Sequence, residues 1–258
     1  MSLAIVFYTA QGPAGRRTKY AVEAARHLRQ HVVSAEPIWW HIGDDGSGPE
    51  HLAQIKTAAM EQTPHGHDIG HWTVSNSEGR GYGANVNAAR DFLEAEGPPE
   101  FMLCVEDDWR LIRSIAPVLE ASMAMLRHSE MQDIGMVRLS YIAYTGKLFG
   151  LFRFASHHQW IELRRDSEEG FIFSGNPRLE HWDFQKGFRW TDSKKELTHG
   201  KGRGWPGDYE LDAAWRLKLR DPGEGGARTE VVWPVDFLPA SAQGGSIFQH
   251  FGSERSFQ

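Results

Sequence analysis

The chain is poor in the features that would place it outside a reducing, aqueous compartment. Among its 258 residues there is a single cysteine, Cys104. It has no partner for an internal disulfide, so nothing points to an oxidising environment. Within "FMLCV" it reads as a small buried hydrophobe. An excess of basic residues is also missing: 28 Lys and Arg face 34 Asp and Glu, for a net charge of -6. That balance argues against coating nucleic acid through bulk charge and leaves only a local basic patch. No apolar run approaches the ~20 residues of a membrane helix. The opening "MSLAIVFYTA" lacks a basic flank and is too short in its apolar part for a secretory signal. We therefore expect a soluble, cytoplasmic protein without a membrane span. Internal repeats and low-complexity linkers are absent from the sequence.

What is present is enough for a proper core. Hydrophobic residues make up 40% of the chain and charged residues 24%. The length suits one large α/β domain, and we expect a single domain over 1–258, with halves at 1–110 and 111–258. Ten tryptophans are many for this length. Several fall in loop-like stretches, as at Trp72, Trp182, Trp190 and Trp205, where they would offer flat platforms to a ligand or simply pack.

The first half alternates short apolar runs with helical patterns. "LAIVFYT" (3–9), "PIWWHIG" (37–43), "GHWTVSNS" (70–77) and "EFMLCVED" (100–107) read as strands. Residues 17–32, 49–62 and 82–96 read as the helices between them. Strands apolar on both faces belong to a parallel sheet covered on both sides. The pattern is that of an open, doubly wound α/β sheet. The second half is less regular: helices over 116–129 and 208–220, strands over 133–144, 170–175 and 229–238, and a polar tail.

Polar signals gather at the carboxyl ends of these strands, where open α/β sheets bind ligands. "WWHIGDDGSG" carries a buried strand directly into Asp44 and Asp45. An Asp-Gly pair is also a common turn, so this alone decides little. The apolar fourth strand runs into Glu106, Asp107 and Asp108. Like charges brought together at two strand ends are costly without a cation, and a hard divalent metal suits such oxygens.

The blocks "IVFYT", "WWHIGDDGS", "GYGANVNAA", "FMLCVEDDW" and "GDYELDAAWRL", in this order over residues 3–220, resemble nucleotide-sugar-dependent glycosyltransferases of the GT-A fold, in particular inverting family 2. The resemblance implies an open, mostly parallel, Rossmann-like twisted sheet flanked by helices. Its first half would bind the nucleotide sugar, and its elaborated second half the acceptor. It implies a UDP- or GDP-sugar donor and a Mn2+ or Mg2+ ion. Tyr8, Thr9, Asp44 and Asp45 would hold base and ribose, and Arg17 would approach the diphosphate. Asn87 falls on the family's matching Asn. Asp108 would be the metal ligand, with Glu106 and Asp107 on ribose or metal; Glu106 stands where the family usually has Asp. A late histidine, His250 in "SIFQHFG", is a further candidate ligand, set against a structural role.

Transfer needs a stabilised diphosphate leaving group and a carboxylate to take the acceptor's proton. In the family an E-D pair opening a helix supplies that base. Here Gly207 stands in for the Glu and Asp208 falls on the Asp, with Glu210 as the alternative base and a helix cap as the plain reading of Asp208. Between Arg178 and Arg203, seven basic residues outnumber four acidic ones, interleaved with Trp182, Trp190 and Trp205. This stretch is the expected acceptor region, for a glycan, a protein or a hydroxymethylated pyrimidine in phage-type DNA. "GKGRGW" (200–205) would close over the diphosphate through Arg203. A sugar nucleotidyltransferase fits less well, because its glycine-rich loop pattern is missing after the first strand. A non-catalytic nucleotide- or glycan-binding module is the remaining alternative. The histidines of "HGHDIGH" (65–71) sit at the opposite end of a strand from these acids, and the pair at 157–158 reads as loop.

Overall fold

The structure is a computed structural model that describes residues 2–12, 15, 17–140, 149–166, 177–199, 206–221, 223–238 and 247–250. In chain order the elements are β1 (Leu3–Thr9), α1 (Thr18–His31), β2 (Ile38–Asp44), α2 (Pro49–Ala59), β3 (Ile69–Asn76), α3 (Tyr82–Glu96), β4 (Phe101–Glu106), β5 (Trp109–Leu111), α4 (Ala116–Arg127), β6 (Ile134–Arg138), β7 (Phe149–Ala155), β8 (His158–Leu163), β9 (Arg178–His181), α5 (Pro206–Lys218), β10 (Glu230–Pro234) and β11 (Phe248–His250). Nine strands form one sheet in the order β3-β2-β1-β4-β9-β6-β10-β8-β7, and β11 pairs with β5 apart from it.

The four parallel strands β3, β2, β1 and β4 are those read from the sequence, to within a residue or so at each end. β1 and β2 are buried at every position, as central parallel strands covered on both faces are, with His41 and Asp44 the polar residues of β2. β9 enters antiparallel between β4 and β6, and β8 lies antiparallel to β10. The sheet is therefore mixed but mostly parallel. Two registers fix the site. Tyr8 pairs with Gly43 and with Glu106, and Thr9 pairs with Asp44, so the strand ends carrying the acids finish side by side.

Several short elements of the second half escaped the sequence reading. Of the pair at 157–158, His157 forms the tight turn of the β7–β8 hairpin with Ser156, at φ 65 and 51, and His158 already belongs to β8. β6 stops at Arg138, well before 144, although 141–144 lie outside the described residues. The expected strand over 170–175 also lies outside them.

Candidate active site

A cavity of about 160 Å³ opens at the carboxyl edge of the sheet, lined by Tyr8, Thr9, Ala10, Arg17, Asp45, Gly81, Tyr82, Asn85, Glu106 and Asp107. Three strand ends and the start of α3 build it. The chain enters α3 through Gly81 at φ 106, a backbone conformation open to glycine; the Tyr209 hydroxyl packs where its Cβ would stand. That contact joins the start of α5 to the cavity wall.

Asp107 is the centre of the acidic cluster and is fully buried. It accepts hydrogen bonds from Thr9 Oγ1 at 2.9 Å and from the Ala10 N–H at 3.3 Å, and it pairs with Arg17. Arg17 also reaches Asp108 Oδ2 at 3.3 Å. Burial lifts the Asp107 carboxyl to about 6, against the pull of the Arg17 guanidinium. Burial, with the Glu210 and Asp108 charges, pushes the Glu106 carboxyl well above the usual carboxylate range. Burial and Asp108 likewise push Glu210 to about 7, although Arg178 and Arg138 favour its charged form.

Asp44 and Asp45 divide their work. Asp44 is fully buried; one oxygen accepts the Ser47 N–H at 2.9 Å, and Oδ1 has no hydrogen-bond partner among the described residues. Asp45 lines the cavity and accepts from Ser77 Oγ at 2.6 Å and the Gly81 N–H at 3.1 Å. The turn reading of "DDGS" therefore holds locally, with Asp45 still facing the cavity.

Asn87 does not. Its amide donates to the Trp190 carbonyl at 2.8 Å and to Asp192 at 2.6 Å, and it accepts the Trp190 N–H at 3.0 Å. Asn85 lines the cavity in its place, donating to the Gly43 carbonyl at 3.0 Å and leaving Oδ1 buried without a partner among the described residues. Helical phase would have found it: Asn85 lies three residues beyond Tyr82 and shares its face, whereas Asn87 does not. Trp190 is likewise no platform, being 3% exposed and packed edge-on against Tyr82. Trp182 is half-buried beneath the Arg90 guanidinium, 4.9 Å from its ring centre. Arg178 is buried in the sheet against Glu180 at 2.6 Å, and the exposed Arg189 pairs with Asp91. The basic stretch is thus partly core and not one continuous charged surface. Arg203 and Trp205 lie outside the described residues.

For a divalent ion, the donor chemistry is hard oxygen with one imidazole. β11 runs antiparallel to β5 and brings His250 Nε2 to 3.6 Å from Asp108 Oδ2. Among the described residues no three His, Cys, Asp or Glu side chains converge as a ready-made metal site. Asp108 and His250 fit an ion that completes its shell from a ligand, while Glu106 turns to the cavity. Asp208 and Glu210 both lie in the first turns of α5 and are 6% and 7% exposed. The "HGHDIGH" histidines are remote from this edge: His67 is buried between the Trp40 indole and the Val32 carbonyl. No helix among the described residues is long and apolar enough to cross a membrane.

No known family profile matches the sequence, and no curated protein is similar to it. Solved structures are similar in fold. S. aureus TarS 1-349 in complex with UDP superposes with a TM-score of 0.55 at 15% identity, covering 90% of this chain and 60% of that one. The longer S. aureus TarS gives 0.55 at 14% identity, with 36% of its length covered. Mannosyltransferase PcManGT from Pyrobaculum calidifontis, in complex with GDP-Man and Mn2+, gives 0.51 at 11% identity, covering 94% of this chain and 58% of that one. This chain thus spans between about a third and three-fifths of those lengths. The fold is the GT-A fold of nucleotide-sugar glycosyltransferases.

Proposed function

We propose that the chain is a metal-assisted glycosyltransferase, which moves a sugar from a nucleoside diphosphate to an acceptor hydroxyl with inversion. The observation that carries this reading is the meeting of three strand ends at one cavity, with Thr9, Arg17, Asp45, Glu106 and Asp107 on its wall. A site so rich in buried acid favours a cationic ligand, and a metal–nucleotide complex brings one. The neighbours' UDP, GDP-Man and Mn2+ agree with that chemistry.

In this reading Tyr8, Asp45 and Asn85 take the nucleoside end, Asp44 braces the turn beneath them, and Arg17 stands toward the diphosphate. Asp108 and His250 would hold a divalent ion, which would supply positive charge for the leaving diphosphate. Asp208, in the first turn of α5 beside the Tyr209 that packs on Gly81, takes the acceptor's proton. Glu210, facing Asp108 and two arginines, sets the field beneath the reacting centre. The second half binds the acceptor.

Thermal unfolding against a panel of nucleoside diphosphates, each with and without Mn2+, tests the reading. A ligand bound only by the folded state raises the midpoint by mass action. One nucleotide shifting the midpoint in a metal-dependent way is the expected result. No shift with any nucleotide, with or without metal, overturns it.

A further inference from the structure

A buried hydrogen-bonded chain runs from α2 to the centre of the acidic cluster. His51, in the first turn of α2, is 1% exposed and does not line the cavity. Its Nε2 lies 2.8 Å from Thr9 Oγ1, and its Nδ1 lies 2.9 Å from Thr18 Oγ1 in the first turn of α1. Thr9 Oγ1 in turn donates to Asp107 Oδ2 at 2.9 Å.

The direction of each bond follows from counting hydrogens. Asp107 Oδ2 is the acceptor at this end, taking both the Thr9 hydroxyl and the Ala10 N–H. Thr9 has one hydroxyl hydrogen, and the carboxylate takes it. The Thr9 oxygen must then accept from His51, so Nε2 carries the ring hydrogen. Nδ1 is left as an acceptor, and the Thr18 hydroxyl donates to it. One tautomer of a neutral imidazole satisfies the whole chain. Burial and the nearby Arg17 charge both hold the ring below the usual histidine range, and Asp44 opposes them.

We propose that His51 is a positioning residue of the donor site: as the Nε2–H tautomer it commits the Thr9 hydroxyl to Asp107, which fixes the carboxylate that holds Arg17 across Asp107 and Asp108. The inference rests on the transferase reading for its functional consequence. The arrangement also links the starts of α1 and α2 to the ends of β1 and β4. The loop between β2 and α2 is tied to the same corner, through Gly48 N–H donating to Gln11 Oε1 at 3.1 Å and Gln11 N–H donating to Ser47 Oγ at 2.8 Å.

The test uses the full chain, with His51→Leu and His51→Gln beside the wild type. Gln keeps an N–H donor for Thr9, and Leu keeps only bulk. Titration with UDP and GDP in Mn2+ should show H51L binding weaker by roughly tenfold or more, with H51Q recovering most of the loss. Long-range 15N–1H spectra of the imidazole should report the Nε2–H tautomer at neutral pH. An H51L protein that binds as the wild type does, an H51Q protein as weak as H51L, or an Nδ1–H tautomer would each overturn the assignment. Failure of the wild type to bind either nucleotide would count against the transferase reading instead, and the ring spectrum would still decide the hydrogen-bond chain.

Discussion

Arg138 and Arg178 face each other across β6 and β9, and both are buried. Two guanidiniums side by side inside a protein require compensating charge. Glu180 meets Arg178 at 2.6 Å, and Glu210 reaches down from α5 into the field of both arginines. Glu210 is thereby held by cations from below and crowded by Asp108 from the cavity side. Asp208, one residue into the helix from Gly207, is the acid assigned here to the acceptor's proton.

The two carboxylates should separate kinetically. We expect Asp208→Asn to lower kcat by about 10²–10⁴, the usual range for loss of a general base, with nucleotide affinity little changed. Glu210→Gln should mainly alter the affinity for nucleotide and metal, since it removes a charge next to Asp108. Steady-state kinetics with a direct binding measurement distinguishes them. The opposite ranking transfers the role of base to Glu210.

Asn85 and Asn87 offer a second contrast within one helix. Asn87→Ala leaves the Trp190 carbonyl and N–H without their side-chain partner in a buried setting. It should cost about 1–3 kcal/mol of stability while leaving nucleotide affinity within about twofold. Asn85→Ala should weaken nucleotide binding more than it weakens the fold. Urea unfolding of both variants, paired with nucleotide titration, checks the assignment.

Much of this was legible in the sequence, and what was missed has a common cause. Unbroken apolar runs such as "AIVFY" and "MLCV" read as interior strands, so β1 and β4 and the acids that follow β4 were directly legible. Arg138 carried no strand-end signal, because the apolar pattern continues past it and only the structure ends β6 there. Asn85 needed only the helical phase from Tyr82. β9, by contrast, has four residues and two charges, and it is a strand because β4 and β6 supply partners on both sides. β5 and β11, three residues each, exist through their pairing with each other. His51 carried no sequence signal. Its role depends on Thr9, Thr18 and Asp107, which only the fold assembles.

His250 is a test of the metal assignment. Its side chain is exposed, packs on Trp109 at 4.8 Å between ring centres, and stands 3.6 Å from Asp108. Replacement by Ala should leave the fold unchanged, because little is buried, and should raise the Mn2+ concentration needed for nucleotide binding several-fold. Asp108→Asn should abolish the metal-dependent part of that binding. Isothermal titration of nucleotide across a Mn2+ series reads both, and an unchanged Mn2+ requirement in H250A would assign the histidine to packing alone.

Two buried histidines far from the cavity predict an acid-sensitive fold. His41 lies between Thr73 Oγ1 at 2.9 Å and Ser75 Oγ at 3.0 Å, and burial depresses its ring to about 4. His67 accepts the Trp40 indole N–H at 2.7 Å, so its own hydrogen is on Nδ1, facing the Val32 carbonyl at 2.8 Å. It too is lowered to about 4, chiefly by burial. A second proton on His67 would set two N–H donors against each other. Both folded values lie below the unfolded value of about 6.5, so between those limits the unfolded chain binds protons that the folded chain refuses. Stability contributed by the neutral rings is complete above about pH 6.5 and is lost as the pH falls toward 4. At pH 5 each ring should cost about 2 kcal/mol relative to pH 7. Carboxylates with raised values, such as Asp107, push the other way, so the comparison is made against a variant. Urea unfolding of wild type and His67→Gln at pH 7 and pH 5 should show a larger loss in the wild type. Equal losses in the two proteins would mean that His67 accepts its second proton within the folded structure.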